Sequence, residues 1–335
     1  MEALFISKDL LEYVKSNTTI IAKIHSIFNN ACNMEYKEKL ITILTKDKII
    51  APMSIVIDNP VGFDFKKLKI NSNNKFVFTD EFIICSNFTF KVELKNAKVY
   101  DPKIERLENY IEEEVILKNL IKMKDILFEY GKLDFFYPLL DDIKNCIAND
   151  LVYKLRIIDI GKLSNGLSLK NNDKSYLFIK NKFIDFLKAI ISYDIANIQD
   201  YASNIIGFGF GLTPSIDDFI SGLMISIIYL GDYYNLDIKN IYKFNNKLIA
   251  KSINKTTKVS SEMLINSAKG AISKGIKQLM TTLLSEDDDV SITNDLKRVI
   301  SFGETSGSDM AFGIYIGFAI FTDIRYRGNW KWIYV

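Results

Sequence analysis

The chain has 335 residues, 48% hydrophobic and 25% charged, with 43 Lys and Arg against 41 Asp and Glu and a net charge of +2. That length supplies cores for two domains, and a near-neutral balance with scattered lysines excludes the clustered basic face that a nucleic-acid partner requires. Cys32, Cys85 and Cys146 show neither a disulfide framework nor zinc-ligand spacing, the opening MEALFISKDLLEYVKS lacks an export signal, and no apolar run is long enough for a bilayer; a cytoplasmic protein with no membrane partner is expected.

After a short opening helix, the first hundred residues read as strands. TTIIAKIHSIF, KLITILT, KIIAPMSIVID, KLKI, KFVFT, EFIICS and FTFKVEL are separated by Asn, Lys, Asp and Gly turns. Regular short strands of this kind predict a barrel or a sandwich. The single histidine, His25, lies in this alternating pattern and reads as half-buried and satisfied, without a catalytic role.

From Asp101 the period changes to 3.6, with Pro102 at a helix start and Ile104, Leu107, Ile111 and Val115 along one face. The expected fold is therefore α+β: a β-rich domain over 1–100, then an all-α domain over 101–335. Helices are predicted near 103–130, 135–163, 174–204, 215–231, 237–254, 258–285, 291–301 and 306–324. In the sixth, Ser260 starts the segment, Val259 and Leu264 suit a hydrophobic staple, and Ala268, Gly270, Ala271 and Gly275 form a small-residue face that would support a site. Lys251, Lys255 and Lys258, and the acid run Glu286 to Asp289, read as solvated surface. The tail RYRGNWKWIYV would dock on the core or on a partner.

The stretch from Gly207 to Phe219, GFGFGLTPSIDDF, carries the most chemistry. Gly207, Gly209 and Gly211 permit positive φ and bring amides close to a ligand. Pro214 suits a first helical turn, and either Thr213 or Ser215 can cap it, so the loop delivers free amides to a helix N-terminus where anions bind. Ser215-x-x-Asp218-x-x-x-Gly222 returns about ninety residues later as Ser306-x-x-Asp309-x-x-x-Gly313, with Gly303 and Gly307 in its loop. Each copy precedes an apolar run that reads as a buried helix. Packing through Gly222 and Gly313 would set the two hydroxyl and carboxylate clusters side by side. A pair of ordinary capping boxes is the competing reading.

The GxGxGLTPSxDDF loop and the GETSGSD stretch, with weaker matches at His25, Ser26, Thr256, Thr257, Ser260, Ala268 and Gly270, resemble the AllH-type subunit of oxamate carbamoyltransferase, a family associated with purine and allantoin breakdown. Ile216 and Glu304 depart from its usual pattern. The resemblance implies a subunit, catalytic or not, of an enzyme that moves a carbamoyl group between a small acid such as oxamate and phosphate, with companion subunits. In that chemistry Gly207, Gly209, Gly211, Thr213, Ser215, Thr305, Ser306 and Gly307 would bind carbamoyl phosphate or oxamate. Asp217, Asp218 and Asp309 would accept from substrate NH₂ groups, act as general base, or hold Mg²⁺. A non-catalytic anion-binding or scaffolding subunit is the alternative.

Overall fold

The computed structural model describes residues 1–147 and 174–326, except 18, 193 and 195. Its described part divides into two compact units, Met1–Ile104 with Ala271–Lys277, and Glu105–Gly270 with Gln278–Val335. The tail beyond Tyr326 and the segment predicted as helix from 148 onward lie outside the described residues.

The first unit is one curled, half-barrel sheet of nine strands in the order β8-β7-β6-β2-β3-β4-β5-β1-β9. These are β1 (Ala3–Ser7), β2 (Ile20–Ile27), β3 (Ala31–Tyr36), β4 (Lys39–Thr45), β5 (Ser54–Ile57), β6 (Lys75–Phe78), β7 (Phe82–Cys85), β8 (Lys91–Glu93) and β9 (Lys98–Tyr100). Neighbours pair antiparallel except β4 with β5 and β1 with β9. A Glu2–Glu93 bridge brings the start of β1 to the end of β8, so the single sheet nearly closes, which settles barrel against sandwich. Alternation buries one face, including Ile20, Ala22, Met34, Ile41, Ile43, Phe76 and Phe78. Helix α1 (Lys8–Asn17) adds Leu10 and Val14 to the same core.

Four expectations change here. The opening is a strand followed by a helix, β3 and β9 are additional strands, and the KLKI segment begins in a 3₁₀ turn at Phe65–Lys67 and forms no strand. His25 is exposed, not half-buried, at the register shift between Ile24 and Ser26, with Nδ1 3.1 Å from Ser26 Oγ.

The second unit is helical: α2 (Glu113–Tyr130), α3 (Leu140–Ile147), α4 (Lys174–Ile191), α5 (Ile198–Ser203), α6 (Ser215–Tyr233), α7 (Ile238–Ile249), α8 (Lys258–Ala268), the later turns of α9 (Lys274–Ser285), α10 (Asp289–Ile300) and α11 (Ser306–Tyr326). Residues 103–112 are not helical, and α2 begins only at Glu113. The segment predicted over 258–285 breaks after Ala268, where Gly270 takes φ +70° and ends α8. The small-residue face therefore does not continue: Ala271 and Gly275 belong to the first unit.

Helices α6 and α11 form the centre. Every residue of α6 from Ser215 to Gly231 is buried, as an apolar run on all faces demands. A Cβ at Gly222 would lie 2.0 Å from Met310 O, one at Gly313 would lie 2.0 Å from Phe219 O, and one at Gly317 would lie 1.9 Å from Ser226 Oγ. Because these contacts advance in step along both helices, α6 and α11 run parallel with their N-termini together. Phe136, Phe183, Phe219 and Phe312 pack around them, with ring centroids 5.1 to 5.8 Å apart.

Gly313→Ala should therefore destabilise the chain by about 3 kcal/mol, the upper end of ordinary overpacking costs, because backbone rather than a movable side chain opposes the added methyl. Urea unfolding measures it, and an unchanged midpoint would refute the close crossing.

Candidate functional site

The parallel packing of α6 and α11 puts two helix dipoles' positive ends beside one another, where acidic groups and anions are favoured. Both N-termini are approached by irregular loops. In the first, Gly207, Gly209 and Gly211 have φ of +90°, +127° and +91°. A Cβ at Gly209 would lie 2.2 Å from Ser215 N, so the loop folds back onto the start of α6 at a distance only glycine permits.

This fold-back leaves donors unused. The amides of Gly209, Phe210, Gly211, Leu212 and Thr213 donate to no acceptor among the described residues, and neither do those of Gly303, Glu304 and Thr305 before α11 or of Ser306, its first residue. Neither Thr213 nor Ser215 caps α6, because the cap position is Pro214 and makes no side-chain bond. The Thr213 hydroxyl instead meets that of Ser306 at 2.6 Å, joining the two loops.

Three carboxylates lie at these helix starts, all fully buried. Asp217 is saturated. Its Oδ1 accepts from Gly207 N at 2.7 Å, and its Oδ2 accepts from Ser260 Oγ at 2.6 Å and from Thr256 Oγ1. Burial pushes its carboxyl upward, against the pull of these bonds. Thr257, the N-cap of α8, accepts from Ser260 N and donates to Leu212 O. The start of α8 thus grips the glycine loop from beneath, a role the weaker sequence matches at 256, 257 and 260 did not disclose.

Asp218 and Asp309 have the opposite environment. None of their four oxygens has a hydrogen-bond partner. Thr213 and Ser306 stand beside Asp218, and Ser215 and Thr305 beside Asp309, near enough to favour the ionised forms, yet none completes a well-formed bond. Each carboxylate therefore sits next to a serine from the other copy of the signature. Burial, then the charge of Asp309, pushes Asp218 well above the usual carboxylate range. Burial carries Asp309 up to about 7, with exposed Asp134 adding to the rise.

The pairing follows an internal repeat of 91 positions, from Ser215, Asp218 and Gly222 to Ser306, Asp309 and Gly313. Ser308 occupies the position equivalent to Asp217, and its Oγ accepts from Lys132 N at 2.9 Å. Both members of that pair hold a neighbouring backbone segment. Lys132 and Asp134 carried no sequence signal. Gly307 packs its α-carbon against the end of α10, where a Cβ would lie 1.9 Å from Val299 O, so it serves packing. Among the described residues, no three His, Cys, Asp or Glu side chains are grouped to hold a metal. No described helix is long and apolar enough to cross a membrane.

Residues 205–318 match the family model described as oxamate carbamoyltransferase subunit AllH, and residues 2–99 match the AllH family N-terminal domain. No solved structure matches the chain.

Adjacent acids in such different surroundings should respond oppositely to substitution. Asp217→Ala strands three donors and should cost about 3 kcal/mol in urea unfolding, with faster amide exchange over 207–213. Asp218→Asn replaces a buried, unpartnered carboxyl that its surroundings already drive toward the neutral form and should leave stability within about 1 kcal/mol of wild type or raise it. Equal losses from both would refute the distinction.

Proposed function

The chain belongs to the AllH family of oxamate carbamoyltransferase subunits, and from that premise we propose that the paired N-termini of α6 and α11 bind carbamoyl phosphate and oxamate and transfer the carbamoyl group between them. The observation that carries this reading is the double row of unused amides, Gly209–Thr213 and Gly303–Ser306, beside linked hydroxyls on two parallel helices. Transfer requires two anions to be held and an oxyanion to be stabilised, and preorganised backbone donors suit both tasks.

In the forward direction the amide nitrogen of oxamate attacks the carbamoyl carbon. A C–N bond forms, the C–O bond to phosphate breaks, and the nitrogen's proton leaves with the departing phosphate, giving N-carbamoyl oxamate. One loop takes the phosphate and the other the oxamate carboxylate, while Thr213, Ser215, Thr305 and Ser306 supply hydroxyls. Asp217 is a positioning residue, since its bonding capacity is spent on the loop and α8. Asp218 and Asp309 need a positive partner when the anions bind, because an unscreened carboxylate beside phosphate opposes it.

Companion subunits fit the same loops. Phe210 is 90% exposed at the tip of the first, Leu212 follows it, and Phe302 is exposed at the start of the second. The second reading, a non-catalytic subunit that presents a bound anion to a partner, is favoured by these exposed rings.

Calorimetry with phosphate, carbamoyl phosphate and oxamate, together with an assay of phosphate release, tests both readings. The wild-type chain should bind carbamoyl phosphate. Gly209→Ala should cost roughly a hundredfold in turnover, the scale of losing an oxyanion donor. Binding without turnover, in the isolated chain and in the assembled enzyme, would leave the non-catalytic subunit; absence of binding in the assembled enzyme would overturn the anion site.

A further inference from the structure

We propose that the twin-helix junction holds one divalent, oxygen-preferring cation of the Mg²⁺ class between the carboxylates of Asp218 and Asp309. The inference deepens the transferase reading and rests on it for the ion's chemical use, whereas binding of the ion depends on the carboxylates alone.

Both side chains are fully buried, and all four of their oxygens lack hydrogen-bond partners. A buried carboxyl without a hydrogen-bond partner is either kept neutral or kept ionised by a cation, since desolvation of the bare charge is prohibitive, and a divalent ion bound here holds both acids in the ionised form. The charges that weigh most on this pair are negative: Asp309 and Asp217 on Asp218, and Asp134 on Asp309. No Lys or Arg forms an ion pair with Asp217, Asp218 or Asp309 among the described residues. Asp217 cannot relieve the others because its own oxygens are occupied.

The surrounding donor set selects the ion. Thr213, Ser215, Thr305 and Ser306 stand around the two carboxylates, so the environment is oxygen throughout, with neither imidazole nor thiolate. Such a set suits hard cations and gives zinc or copper no preferred ligand. Two carboxylates are too few for a calcium cage, which takes roughly six to eight oxygens. They are the usual protein share for Mg²⁺, which completes its shell with water and with oxygens of a bound phosphate. The ion would screen Asp218 and Asp309 from an anion resting on the adjacent free amides.

The full chain, stripped with EDTA and exchanged into phosphate-free buffer, is titrated with MnCl₂ by electron paramagnetic resonance and with MgCl₂ by thermal shift. One Mn²⁺ should bind and be displaced by Mg²⁺, and Mg²⁺ should raise the wild-type melting temperature. Asp218→Asn and Asp309→Asn should each weaken Mn²⁺ binding by at least about tenfold, while Asp288→Asn, at the cap of α10, should bind as wild type. Circular dichroism checks that each variant is folded, and the wild-type titration stands without them. Absence of Mn²⁺ binding, saturation by Na⁺ or K⁺ alone, or wild-type affinity in both site variants would overturn the cation. Calorimetry with carbamoyl phosphate in metal-free buffer, on wild type and Gly209→Ala, separates the readings: anion binding lost in Gly209→Ala while no ion binds would sink the cation and leave the transferase site standing.

Discussion

The contact on which the site depends is the glycine-to-backbone crossing of α6 and α11. With Gly222 against Met310 O and Gly313 against Phe219 O, the helix axes approach too closely for any side chain between them. Residues one turn earlier are thereby fixed as neighbours, and these are Asp218 and Asp309. The acid pair is a consequence of helix packing. Its unfavourable electrostatics are carried by the surrounding aromatic core of Phe136, Phe183, Phe219 and Phe312, whose burial stabilises the crossing.

Helical geometry also explains why adjacent aspartates have different roles. Successive residues point about 100° apart around an α-helix, so Asp217 faces α8 and the glycine loop while Asp218 faces α11. One side finds three donors and the other finds a second carboxylate. The repeat preserves this division with different chemistry, since Ser308 holds Lys132 N where Asp217 holds Gly207 N. Holding a segment needs only an acceptor, which a hydroxyl supplies as well as a carboxylate.

Most of this arrangement was legible in the sequence because it is written in backbone-restricting residues. Alternate glycines predicted positive φ, and the repeated Ser-x-x-Asp-x-x-x-Gly placed two helices together through the glycines found in contact. The cap was misread because Ser-x-x-Asp satisfies the capping-box pattern, and only the fold shows Ser215 already inside the helix. Strand β3 was missed because its hairpin turns at Lys37 and Glu38, both at positive φ, without the Asn or Gly that normally announces such a turn. Residues 103–112 kept a helical apolar period while taking an irregular path, and Gly270 read as a small packing residue when it was a helix end. Periodicity reports which residues seek burial, and tertiary contacts decide the backbone path that buries them.

The 91-residue separation between the two halves of the junction has a kinetic side. Contacts between residues so far apart in sequence close a long loop, and the entropy of that closure is met before the contact returns any stability. Helices α7 to α10 lie within the intervening chain, and each residue placed in a helix, with its rise of about 1.5 Å, shortens the span that α11 must close against α6. The acids meet only when that docking completes. A chain still leaving the ribosome, with α6 formed and α11 not yet made, carries Asp218 without its electrostatic opponent and with the apolar face of α6 uncovered, so the interval between residues 233 and 306 is when nascent protein most needs protection from association.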